Sequence, residues 1–161
     1  MPNVTEILAD SIGLAIAILL GPVVGWLVST STKSIELLPP AGINRQEWLA
    51  AIRMPSEIPG KWLGFLERAL SFIAFATNGL EIIAGWLAFK VASKWEIWHN
   101  IVHVPKTLED ATPLSYLRAR RAWGSWMMMR FLIGTIGNIL AGFAGFFVGK
   151  HGIEILKAWL C

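Results

Sequence analysis

Three long apolar blocks, at residues 7–30, 62–94 and 123–149, constrain this chain more than any other feature. A soluble core scatters apolar residues at helix or strand period along the whole chain. Each of these blocks is instead long enough to cross a hydrocarbon layer of about 30 Å at about 1.5 Å per residue. Composition agrees, since 55% of the 161 residues are hydrophobic and 16% charged, with mean hydropathy +0.55. Those values exclude a disordered chain, a collagen and a disulfide scaffold, and they do not suit a soluble domain. The single cysteine, Cys161, can close no internal disulfide. A net charge of +3 is ordinary for a membrane protein, whose Lys and Arg decorate the ends of its spans, and no nucleic-acid binding is expected. The expected fold is therefore a single all-α integral membrane domain over 1–161, with three transmembrane helices and one or two interfacial amphipathic helices. It is expected as a multi-pass membrane protein.

The first block is expected as a retained span rather than a signal peptide, because Glu6 and Asp10 precede it where a signal peptide carries Lys or Arg. Pro22 removes one backbone donor inside it and predicts a kink. In the connector that follows, Asn44-Arg45-Gln46-Glu47 has the form of a capping box, which predicts a short helix over 44–54 lying at the interface or packed on the bundle. The second block is expected as one helix, followed by a polar loop from about His99 to Arg121. Arg118, Arg120 and Arg121 stand just before Trp123 and predict an anionic headgroup surface. The tail over 151–160 is expected as a second interfacial helix. Lys and Arg are balanced between the two sides, so orientation is not set.

Small residues recur at helical spacing. Gly13, Ala17, Gly21 and Gly25 line one face of the first block, and Gly134, Gly137, Ala141 and Gly145 line one face of the third, with Gly142 and Gly149 beside it. Such stripes let backbones approach closely where lipid removes the hydrophobic incentive to associate. Polar residues fall inside the blocks as well: Glu67, Arg68, Asn78, Glu81, Arg130 and Asn138 form a candidate intramembrane network. If the second and third blocks are straight antiparallel helices, Glu81 and Arg130 differ in depth by about 9 Å, which a long Arg side chain bridges, and Asn78 matches Asn138. Charges at that depth are expected to find partners or to serve transport.

Glu96, His99 and His103 form an E-x-x-H-x-x-x-H string. On a continuing helix it presents a carboxylate and two imidazoles on one face, a donor set for zinc or iron. The alternative is a set of amphipathic interface residues beside Trp95 and Trp98. No P-loop, G-x-S-x-G, H-E-x-x-H or dinucleotide fingerprint occurs, and no cofactor is expected.

Gly64-Phe65-Leu66-Glu67-Arg68, then Gly79 and Lys90, and later Leu132-Ile133-Gly134-Thr135 resemble a family of uncharacterised small prokaryotic and phage integral membrane proteins. That family carries a G-x-L-E-R segment opening one span, a lysine closing it and an L-I-G-T segment in the next. The resemblance covers about Gly60 to Gly145 and implies a compact polytopic α-helical protein, without an activity. The chain departs from it just before L-I-G-T, where Met127, Met128, Met129 and Arg130 stand in place of an acidic residue. The leading functional expectation is a non-enzymatic self-assembling protein or accessory subunit of a larger membrane complex. One alternative is a proton- or ion-coupled carrier or channel using Glu81 and Arg130 with Asn78 and Asn138. The other is a membrane metalloenzyme using Glu96, His99 and His103.

Overall fold

The computed structural model describes residues 4–33, 38–52, 58–99 and 113–160, and among them it is helical with no strand. Helices α1 (Val4–Leu19) and α2 (Gly21–Ser31) are nearly one rod. The only interruption is at Leu20, where Pro22 cannot donate to the preceding turn. The ladder resumes at once: the Leu20 amide donates to Ile16 O and the Val24 amide to Leu20 O, both at 3.1 Å. Hydroxyls along the rod are satisfied by its own backbone. Ser11 donates to Ile7 O at 2.7 Å and Thr30 to Trp26 O at 2.9 Å, so they add no unpaired group to an apolar surface.

Helix α3 (Arg45–Ile52) matches the expected short helix as far as it is described, since Arg53 and Met54 lie outside the described residues. Asn44 caps it, with Oδ1 accepting the Gln46 amide at 2.9 Å, but the bonds at Glu47 that would complete the expected capping box do not occur among the described residues. Trp48 on this helix is buried.

The second block is not one helix. It is a hairpin of α4 (Ile58–Ala76) and α5 (Leu80–His99) closed at Asn78-Gly79. Asn78 takes the left-handed conformation with φ 54°. The Gly79 amide then donates to Ala74 O at 2.8 Å and the Asn78 amide to Phe75 O at 3.4 Å, the paired bonds that end a helix in a Schellman motif. Asn is among the few residues with a side chain that tolerate that conformation, and the glycine after it lets the chain turn into α5.

Helix α6 (Pro113–Leu160) runs through both the C-terminal part of the expected loop and the expected separate tail helix. Pro113 at its start has no amide to leave unsatisfied. No proline follows, and no residue within α6 takes a positive φ, so nothing ends the helix before Leu160.

Helix α6 is the spine. It runs antiparallel to α1–α2 through a contact that only glycine allows: a Cβ on Gly145 would fall 2.3 Å from Gly13 O, and one on Gly149 would fall 2.6 Å from Ala9 O. Farther along, a Cβ on Gly137 would meet Val24 at 2.8 Å. On another side α4 runs parallel to α6, with Gly142 against Ser71 and Phe72, and with Phe75 stacked on Phe146. The expected stripe of Gly13, Ala17, Gly137 and Gly145 therefore packs the bundle. A Cβ on Gly134 would lie 3.6 Å from Val28, Gly21 lies against Arg68, and a Cβ on Gly25 would meet nothing within 4 Å.

Small and polar side chains take up much of the interior, beside Val24, Trp48, Phe72 and Met127. Buried positions hold Ala9, Gly13, Ala17, Ala74, Ala141 and Gly145 together with Glu67, Arg68, Ser71, Lys90, Thr135 and Asn138. Large apolar groups such as Leu19, Trp26, Phe89, Leu140 and Phe147 point outward. Among the described residues two helices, Val4–Ser31 and Leu117–Gly152, are long and apolar enough to cross a membrane, and less than a third of the most apolar stretch of each is buried.

Candidate functional site

Glu67 and Arg68 sit halfway along α4, Trp86 and Lys90 on the returning arm α5, and Thr135 and Asn138 in the middle of α6. The hairpin brings them together, because Glu67 and Lys90 are equidistant along the chain from Asn78-Gly79. The Lys90 ammonium donates to Glu67 Oε1 and to Thr135 Oγ1. Trp86 Nε1 donates to the same carboxylate oxygen at 3.1 Å, and Asn138 Nδ2 donates to Glu67 Oε2 at 2.7 Å. Asn138 Oδ1 in turn accepts from Arg68 Nη1 at 2.8 Å, so the amide is held between an acceptor on one side and a donor on the other. Lys90 also lies 4.7 Å from the centre of the Phe131 ring, a cation–π contact.

Burial gives these contacts their weight. Glu67 is 3% exposed, Asn138 5%, Lys90 7% and Arg68 8%. A carboxylate with three donors and an ammonium with two acceptors satisfy most of their hydrogen-bonding capacity away from water. The cluster joins α4, α5 and α6 through directional bonds, so it sets the register of the hairpin against α6. It is a polar core inside an apolar exterior.

Of the network expected from sequence, Glu67, Arg68 and Asn138 belong to this cluster, and Asn78, Glu81 and Arg130 do not. Asn78 is the exposed turn residue. Glu81 is exposed in the first turn of α5 at the hairpin tip. Arg130 is exposed on α6, its guanidinium 4.8 Å from the Trp126 ring. The Glu81–Arg130 pair is not formed. Lys90, about 13 Å along α5 from Glu81, is the residue beside Phe131, which leaves Arg130 at the other end of the hairpin. A single straight rod over 62–94 would put Glu81 near mid-depth, whereas the turn at Asn78-Gly79 puts it at the hairpin tip. Lys90, Trp86 and Thr135 were missed as partners. The signal for two of them lay in the short motifs, since the cluster gathers Glu67 and Arg68 of G-x-L-E-R, the Lys90 that follows, and Thr135 of L-I-G-T.

Glu96 and His99 fall in the last turn of α5 and His103 lies outside the described residues; among the described residues no group of three metal-binding side chains occurs. Arg118 and Arg121 are exposed on the first turns of α6. Compared with protein-family models, curated proteins and solved structures, the chain matches none.

Proposed function

We propose that this protein is a multi-pass membrane protein that works by assembling with other membrane helices, a second copy or the subunits of a larger complex, rather than by catalysis. The membrane placement is supported by the outward-facing Leu, Ile, Phe and Trp side chains around a core of small and paired polar residues. Arms of 19 and 20 residues are about 28 and 30 Å long. We therefore place α4 and α5 through the bilayer beside the two long helices, in place of the single second span. A prokaryotic cytoplasmic membrane is the setting that the family resemblance implies.

The observation that carries the assembly reading is the outer face of α5. Ala84, Gly85 and Ala88 are exposed there, and a Cβ on Gly85 would meet nothing within 4 Å, whereas the stripes of α1 and α6 are consumed in their own crossing. Small-residue faces of this kind let a further helix approach closely in lipid. The test is the particle mass in nanodiscs of wild type and Gly85→Leu. An oligomer or co-purifying membrane subunit that the substitution releases is expected; a lone monomer for the wild type rejects the reading.

A second reading, an ion-coupled carrier, is favoured by the buried Glu67 cluster midway along the bundle. It would use Glu67, Arg68, Lys90 and Asn138 in place of Glu81 and Arg130. Flux into liposomes that Glu67→Gln abolishes would distinguish it from assembly alone.

A further inference from the structure

The turn at Asn78-Gly79 changes which charges share a side of the bundle. With a single helix over 62–94, the connector ahead of α4 and the segment leading into α6 lie on opposite sides, and their cations balance. With the chain folded back between α4 and α5, they lie on one side. The packing agrees. Ala9 lies against Gly149 and Val24 against Gly137, so α1–α2 run antiparallel to α6, whereas Arg68 meets Asn138 and Ser71 meets Gly142, so α4 runs parallel to it. The end of α2 and the starts of α4 and α6 therefore point the same way.

That end gathers Lys33 just past α2, Arg45 on α3, Lys61 on the first turn of α4, and Arg118, Arg120 and Arg121 on the opening turns of α6. Lys94 and Glu96 in the last turns of α5 offset each other, so among the described residues six cations there stand against one acid, Glu47. The opposite end holds Glu6, Asp10, Glu81 and Glu154 against Lys150 and Lys157. Lys33, Arg45, Lys61, Arg118 and Arg121 are exposed, and so is Trp62 beside Lys61, the pairing of indole and cation found at headgroup level. Basic residues next to a span are drawn to the negative surface of the cytoplasmic leaflet and set orientation by their excess. We infer that this end of the bundle rests on the anionic phospholipids of the cytoplasmic leaflet, so that the start of α1, the hairpin tip and the end of α6 face the other side. The inference rests on the proposed passage of both α4 and α5 through the bilayer, and not on assembly or transport.

Orientation is read with single cysteines in a Cys161→Ser background, Glu47→Cys on α3 and Glu81→Cys at the hairpin tip, both at exposed positions. In a bacterial cytoplasmic membrane, an impermeant maleimide should label only the Glu81→Cys protein in spheroplasts and only the Glu47→Cys protein in inverted vesicles. The reverse pattern, or labelling of each protein from both faces, overturns the inference. Labelling of both from the same single face removes the two spans of the hairpin and the inference with them, which separates the two failures. The lipid is read in proteoliposomes by tryptophan quenching with brominated phosphatidylglycerol against brominated phosphatidylcholine. The wild type should prefer the anionic lipid about fivefold or more, the equivalent of one basic residue at such a surface. The combined change of Lys33, Lys61, Arg118 and Arg121 to Gln should abolish that preference. Equal association of the two lipids with the wild type, or an unchanged preference in the folded quadruple variant, would each overturn it.

Discussion

Lys90 reaches Glu67 from the opposite arm of the hairpin, so that one ammonium–carboxylate contact ties α4 to α5, and Thr135 ties the same ammonium to α6. Breaking a buried pair leaves the remaining charge uncompensated, at about 3–5 kcal/mol. The two halves are not equivalent here. Glu67→Gln leaves Arg68 and Lys90 without a carboxylate, whereas Lys90→Met leaves Glu67 with Arg68 nearby and with its Trp86 and Asn138 donors. Glu67→Gln should therefore be the more destabilising, and the double substitution should recover much of its loss. Unfolding free energies of the four proteins in detergent check both the order and the coupling.

Glu81 and Arg130 serve as the contrast. Both are exposed and they make no pair with each other, so Glu81→Gln and Arg130→Gln should each change stability by less than about 0.5 kcal/mol and should add independently. A coupling above about 1 kcal/mol in a double-mutant cycle would show that the two residues meet after all.

Gly145 has no room for a side chain, because its Cβ would lie 2.3 Å from Gly13 O and 2.8 Å from the Ala17 Cβ. Gly145→Ala must push α1 away from α6, at about 1–3 kcal/mol for an overpacked contact. Gly25→Ala, with nothing within 4 Å, should be neutral or slightly stabilising, since alanine is the better helix former. Thermal unfolding of the two variants in one detergent makes the comparison.

Asn78 carries the turn at φ 54°. Asn78→Gly should hold or raise stability, whereas Asn78→Ala should lose about 1 kcal/mol, because a Cβ without a polar group disfavours that conformation. Equal stability of the two variants would show that the hairpin turns elsewhere.

The proposed path of α4 through the bilayer has a direct consequence. Cysteines placed singly at Lys61 and Asn78, in a Cys161→Ser background, should be labelled by an impermeant reagent from opposite faces of the membrane. Labelling of both from one face would make the hairpin re-entrant and leave only the two long helices as spans.

Much of the helix packing was legible in one dimension, because glycine and alanine at every third or fourth position state which faces of α1 and α6 can touch. Nothing larger fits between Gly13 and Gly145, and that requirement is written in residue type and helical period. The break at Asn78-Gly79 was harder to see. Hydropathy drops only over the three residues Thr77-Asn78-Gly79 between two apolar runs, and so short a polar interruption is compatible with a polar residue in a straight helix. Its role depends on φ, which sequence pattern does not report. Partner choice followed from that turn. Glu67 and Lys90 are far apart along a straight helix and meet only when the chain folds back between them, while Glu81, near the middle of a straight span, moves to its end. Helical period alone was enough to match small faces over a few turns. Pairing charges a whole helix apart required the direction of every helix between them, which is a property of the folded bundle.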